Sequence, residues 1–165
     1  MKAEEFNRNH YQTPIDIVRA VEIKLGMSFT VDIAADPMNK KANRFVTQEH
    51  DAFSFNWRLE FGEKAVIWMN PPYKDKTHPI LDWTSKAIIE SRSGLFVVGC
   101  LPADPSTVWF RKNVMNIAPL VLVPTSRINF NRPDGTPTDR NDRPSILPVW
   151  CPFSTGTTTF VELEV

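Results

Sequence analysis

Two adjacent prolines directly behind an apolar run set the first constraint on this chain. Ala65-Val66-Ile67-Trp68-Met69 has the composition of a buried strand, and Asn70-Pro71-Pro72-Tyr73 follows without a spacer. Proline has no N–H to give a sheet and fixes its own φ, so two in a row end the strand. The chain must leave the sheet at Asn70, in a stiff loop at the strand's carboxyl edge. In open α/β sheets that edge is where ligands bind.

The loop suits a planar group carrying an exocyclic amine. Asn70 Oδ1 and the Pro71 carbonyl are two acceptors, and Tyr73 is an aromatic within reach to stack on a ring face. The tetrapeptide resembles the [DNS]-P-P-[YFW] motif of amino-methyltransferases, which move a methyl group from S-adenosylmethionine to an exocyclic or amide nitrogen. Asn-Pro-x-Tyr also occurs in disordered adaptor-binding segments, but here it follows a strand-like run and not a polar linker.

Composition narrows the setting. At 165 residues the chain holds one hydrophobic core, and 42% apolar with 23% charged residues is usual for a soluble globular domain. Formal net charge is zero, so DNA contact has to come from a local patch and not from the whole surface. Cys100 and Cys151 make neither a disulfide framework nor a zinc site, and His10, His50 and His78 lack metal-ligand spacing, so no metal is expected. The amino terminus has no signal-like apolar stretch and no run is long enough to span a membrane, which leads to the expectation of a cytoplasmic protein without membrane contact.

Residues 1–10 are polar and expected to be loosely ordered. Tyr11-Gln12-Thr13-Pro14 then opens a predicted helix over 14–25, with Pro14 in the first helical position, Thr13 as its cap, Val18, Val21 and Leu25 on one face, and Gly26 as the stop. Such a start is either a plain cap or a receptor for a carboxylate. Tyr11, Thr13 and Pro14 also match the aromatic-x-Thr-Pro motif that resembles the cofactor contact of several adenine methyltransferases. From Phe29 to Asp36 a strand is predicted to run into a loop of small residues, where Asp32 can hold an amine and Ala34 lets a ligand approach the backbone. This resembles the Asp-x-[small]-x-[small] loop of S-adenosylmethionine enzymes, with alanines where glycines are usual; an ordinary strand end at Asp36-Pro37 is the alternative. Residues 38–49 are basic and predicted as a surface loop or short helix. Asp51 and Phe53 are placed to hold an adenine, the acid accepting from its amine and the ring packing on its face; a turn with Phe53, Phe55 and Trp57 alternating into the core competes.

Beyond the proline loop, Lys74 and Lys76 lie in a polar segment. A helix is predicted over 79–91, with Leu81, Thr84 and Ile88 on one face and Trp83 and Ala87 beside it. A strand buried on both faces follows at 94–101, then a helix with Val108, Trp109, Phe110 and Val114, a strand at 120–123, and Arg127-Ile128-Asn129-Phe130. The polar stretch 131–144 carries Arg132, Arg140 and Arg143, whose guanidinium forks suit phosphates and bases. With Lys74, Lys76 and Arg127 these form the expected DNA-binding set. Residues 145–150 and 158–163 are predicted as two strands lying side by side and antiparallel.

Strands alternating with helices predict one three-layer α/β domain, Rossmann-like, with a mostly parallel sheet and a closing antiparallel strand pair. Over residues 11–150 the series of motifs resembles the phage and prophage DNA N6-adenine methyltransferases. That resemblance implies S-adenosylmethionine as cofactor, DNA as substrate and an adenine rotated out of the duplex, with Asn70, Pro71, Pro72 and Tyr73 as the catalytic loop. N4-cytosine methylation and protein-glutamine methylation compete with it, as does an inactive nucleic-acid-binding module of the same fold. Enzymes of the glutamine class usually carry a glycine-rich cofactor loop and an additional helical domain, and neither is read here.

Overall fold

The computed structural model describes residues 11–138 and 143–165. The expected loose order of residues 1–10 and the candidate DNA contact Arg140 fall outside the described residues.

Apolar runs rich in Val, Ile and Leu form the strands β1 (Val31–Asp32), β3 (Val66–Met69), β4 (Phe96–Gly99), β6 (Leu120–Pro124) and β7 (Ser145–Trp150). With β2 (Arg44–Phe45), β5 (Leu101–Pro102) and β8 (Thr159–Leu163) they make one 8-stranded sheet in the order β2-β1-β3-β4-β7-β6-β8, with β5 pairing on β7. β1 to β4 are parallel, and β6 and β8 are parallel to each other. Among the strands of the described residues, β7 is the one common to every antiparallel pairing. Successive side chains of a strand point to opposite faces, so Ile67 and Met69 join one core while Trp68 joins the other, as Val97 and Val98 do on β4. Helix α1 (Ile15–Leu25) covers the Trp68 face, and α2 (Trp57–Phe61), α3 (Ile80–Arg92) and α4 (Val108–Asn113) cover the other. This is the expected three-layer α/β architecture with a mostly parallel sheet.

Four local expectations are corrected. Pro14 is the cap of α1 and not its first residue: its ψ of 145° is not helical, and among the described residues no side chain caps the helix, so Thr13 is not its cap. The stop at Gly26 holds, its φ of 65° letting the chain turn back so that Met27 N–H reaches Glu22 O. β7 and β8 are not neighbours, because β6 lies between them. All six residues of β7 are buried, both faces being covered and β4 and β6 lying at its sides, whereas β8 is mostly exposed and takes the sheet edge. The basic stretch contains strand β2, whose Arg44 spans Phe61 and donates to the Phe61 and Glu60 carbonyls at 3.0 and 2.7 Å. On α3 the buried face is Ile80, Trp83, Thr84 and Ala87, with Leu81 and Ile88 on its flank, since the indole is the largest group to cover.

The chain steps outward from β1 to β2 and then returns across β1 to β3. The carboxyl ends of β1 and β3 therefore sit where the winding direction reverses, and the crevice there is open to a ligand.

Candidate active site

At that crevice the residues after β1, β2 and β3 enclose a cavity of about 790 Å³, within the size range of small-molecule sites. Three segments build its walls. Tyr11, Gln12 and Thr13 lead into α1; Asp32 to Pro37 leave β1; and Asn70, Pro72, Lys74, Asp75, Lys76 and His78 leave β3. Asp51, Ala52, Phe53, Trp68 and Trp83 complete it.

At the β1 end Asp32 is only 3% exposed. Its carboxylate accepts from Lys41 N at 2.9 Å and Ala34 N at 3.4 Å. Burial pushes this carboxyl up to about 6, against the pull of those two N–H groups and of the Lys41 ammonium. Lys41 is pulled down by its own burial, with Asp32 and Asp36 opposing. Thr13 is 0% exposed, and its hydroxyl, beside the Cys100 thiol, makes no hydrogen bond of ordinary geometry among the described residues. Gln12 Nε2 and Trp83 Nε1, on residues that line the cavity, are also buried without a partner among the described residues. Each unmet buried donor costs about 1–3 kcal/mol, and proteins carry such groups where a ligand completes them. A carboxylate beside unmet donors fits the two charges of an amino-acid end, so the residues present fit S-adenosylmethionine.

At the far end Phe53 stacks on His78, with ring centroids 3.9 Å apart and planes 9° from parallel, and meets Trp83 edge-on at 4.8 Å. Asp51 Oδ1 accepts from Phe53 N at 3.0 Å and lies 3.7 Å from His78 Nε2.

Of the proline loop, Asn70 and Pro72 line the cavity, while Pro71 is buried behind it. Tyr73 packs against the core, and its hydroxyl donates to Cys100 O at 2.8 Å and lies 3.3 Å from Asn70 Oδ1. A phenol has one proton and the nearer carbonyl takes it, so Asn70 Oδ1 keeps acceptor capacity. Burial raises the Tyr73 hydroxyl well above its ordinary value and pushes the Cys100 thiol up to about 12. The Tyr73 ring is not among the cavity-lining groups, and stacking on a base requires it to leave this packing.

The structure thus brings together Tyr11, Thr13, Asp32, Ala34, Asp51, Phe53, Asn70, Pro72, Lys74 and Lys76. Pro14, Pro71, Tyr73, Arg127, Arg132 and Arg143 do not line the cavity. Arg132 folds onto its own loop, donating to Pro137 O at 2.8 Å. The sequence reading passed over Gln12, Asn39, Lys41, His78 and Trp83, all of which line the cavity. For Gln12 a signal existed, since it sits inside the Tyr11 to Pro14 motif.

A mostly parallel sheet with one reversed strand, and a cavity where β1 and β3 end, is the plan of a Rossmann-like methyltransferase. The model of the DNA N-6-adenine-methyltransferase (Dam) family matches residues 2–164, and the chain belongs to that family. It is an adenine-specific DNA methyltransferase. A DNA N-6-adenine-methyltransferase of Haemophilus phage HP1 is 28% identical over 162 residues, covering 96% of this chain and 89% of the relative. No solved structure matches it. Among the described residues no helix is long and apolar enough to cross a membrane.

Proposed function

We propose that this protein transfers the methyl group of S-adenosylmethionine to N6 of an adenine rotated out of the DNA duplex. The observation that carries the reading is that one cavity joins Asn70, behind β3, to Asp32 and Thr13 beside β1. The amino-acid end of the cofactor fits Asp32, Thr13 and the segment leading to Pro14, with Tyr11 and Ala34 against it; its adenine fits Asp51 and Phe53. Bound there, it supplies a methyl group activated on a sulfonium.

The chain's own residues do the rest. The adenine amine is a poor nucleophile because its lone pair is delocalised into the ring. Asn70 Oδ1, on the cavity wall, accepts one of its hydrogens, and the Pro71 carbonyl, which lies behind the wall, takes the second once the loop turns it toward the base; together they favour a pyramidal nitrogen whose lone pair faces the methyl donor. Positioning of the two reactants supplies most of the acceleration. Acceptors complementary to the positive charge developing on nitrogen add to it. Asn70 is no base, since an amide does not take a proton at neutral pH, so the proton leaves to water after transfer. Pro71 and Pro72 keep the acceptors stiff, and the Tyr73 hydroxyl ties their loop to the Cys100 carbonyl. A base inside the duplex is out of reach, so it must be flipped. Lys74, Lys76, Arg127, Arg132, Arg140 and Arg143 are the proposed phosphate and base contacts. An enzyme of this kind works in the cytoplasm of its host cell.

Family membership supports the adenine amine over the cytosine amine or a glutamine side chain. Buried donors left unmet among the described residues, on side chains that line the cavity, argue against an inactive module that has lost its cofactor. The test is transfer from methyl-labelled cofactor to unmethylated DNA, followed by nucleoside analysis. N6-methyladenine is expected; N4-methylcytosine, or no labelled nucleoside, overturns the reading.

A further inference from the structure

Gln12 is 7% exposed on the cavity wall, and its main chain is fully engaged. Its N–H donates to Asn131 O at 2.9 Å and its carbonyl accepts from Asn131 N at 2.8 Å, so the residue cannot swing away. Its side chain is half engaged: Oε1 accepts from Asn39 Nδ2, while Nε2 has no partner among the described residues.

Which end of an amide faces which neighbour has to be argued from hydrogen bonding. Here Lys41 decides it. An ammonium only donates, so the Asn39 atom that meets Lys41 Nζ is Oδ1. Asn39 Nδ2 is then the atom that meets Gln12, which must turn Oε1 toward it. Nε2 is left as a buried donor without a partner among the described residues, on a side chain that lines the cavity. The same lysine gives its backbone N–H to Asp32, so relay and carboxylate share one anchor.

We propose that Lys41 and Asn39 are positioning residues that hold Gln12 Nε2 as a fixed N–H donor for the carboxylate of the cofactor's amino-acid end. This rests on the cofactor reading above. The neighbours favour that ligand group: the buried Thr13 hydroxyl is a second unmet donor, and Asp32 is an acceptor for the adjacent amine. Donors for the negative group and an acceptor for the positive one complement a zwitterion. A donor set in advance needs no reorganisation on binding.

Calorimetric titration of the full chain with two ligands tests this without any turnover. S-Adenosylhomocysteine carries the carboxylate; S-adenosyl-3-thiopropylamine keeps the amine and lacks the carboxylate. The wild type is expected to prefer the first by about tenfold or more. Gln12→Ala should reduce that preference to about threefold or less, by weakening the first ligand alone. Asn39→Ala breaks the relay at a half-buried site while keeping the Lys41 charge, and should reduce it in the same way. Equal weakening of both ligands in Gln12→Ala shows a wall residue and overturns the proposal, and an unchanged preference in Asn39→Ala overturns the relay. Equal affinity of the wild type for both ligands overturns the carboxylate assignment while leaving the cofactor reading intact. Binding of neither removes that reading, and the proposal with it.

Discussion

The Tyr73 hydroxyl donates to the main-chain carbonyl of Cys100 at 2.8 Å, tying the proline loop to the end of the next parallel strand. The same oxygen lies 3.3 Å from Asn70 Oδ1 and backs the amide that faces the cavity. Tyr73→Phe leaves the Cys100 carbonyl unmet in the core and unties the proline loop from the end of β4, so that Asn70 is held less firmly. The expected cost is about 1–2 kcal/mol of stability. Turnover should fall about tenfold with the Kd of the cofactor unchanged. Urea denaturation and steady-state kinetics measure the two effects; wild-type turnover would show that the hydroxyl does not hold Asn70.

Asn70→Ala removes the acceptor that holds the target amine but touches nothing at the Asp32 end of the cavity. Turnover should drop by about a thousandfold or more. The Kd for S-adenosylhomocysteine should stay within about twofold. A filter assay with tritiated cofactor reads the first and calorimetry the second. Turnover at the wild-type rate in this variant would end the amine-holding scheme.

Asp32 makes cofactor binding depend on pH. Its carboxyl titrates at about 6 in the folded protein against an ordinary value of 3.8. The folded chain therefore binds this proton more strongly than the unfolded chain, and the empty protein loses stability as pH rises from about 4 to about 6, by up to about 3 kcal/mol. A ligand ammonium needs the ionised form, so affinity for S-adenosylhomocysteine should rise from about pH 5 to about pH 7 and level off above. Asp32→Asn should bind weakly and without that slope. Calorimetry across the range checks both, and a flat wild-type profile refutes the role given to Asp32.

What was legible in the sequence was local. Pro71 and Pro72 end β3 by a rule that needs no knowledge of the fold, and a strand ending there in an α/β chain has its loop at the ligand edge. The placement of β7 was not legible: an apolar run asks for two covered faces but does not say which strands flank it, and the expected pairing with β8 gave way to β6 between them. What could not be read depends on segments meeting in space. Gln12 and Asn39 are 27 positions apart, and only the return of the chain from β1 brings them together. His78 reaches Phe53 across the cavity in the same way. Strand β2 escaped because two residues, one an arginine, carry no periodicity.

Glu90 supports the Asp51 and Phe53 wall from within the core. It is 0% exposed, and its carboxylate accepts from Trp57 N at 3.1 Å and Arg58 N at 3.3 Å, the first turn of α2, where negative charge is favoured. Lys86, one turn earlier on α3, pairs with it at 2.8 Å and donates to Phe55 O at the same distance. The Trp57 indole in turn donates to Ala52 O at 2.7 Å, between Asp51 and Phe53. The carboxylate therefore fixes where α2 begins, and through Trp57 the loop that faces the cofactor. Glu90→Ala leaves Lys86 and two N–H groups buried without their partner and should cost about 3–5 kcal/mol. Glu90→Gln keeps one acceptor but turns an NH₂ toward a donor, so it should cost less and remain folded. In that folded variant the KM for cofactor should rise while turnover stays near wild type, because the loop that carries Asn70 is tied through Tyr73 to Cys100 and not to α2. A urea midpoint close to wild type in Glu90→Ala would show that α2 is held by its apolar contacts alone.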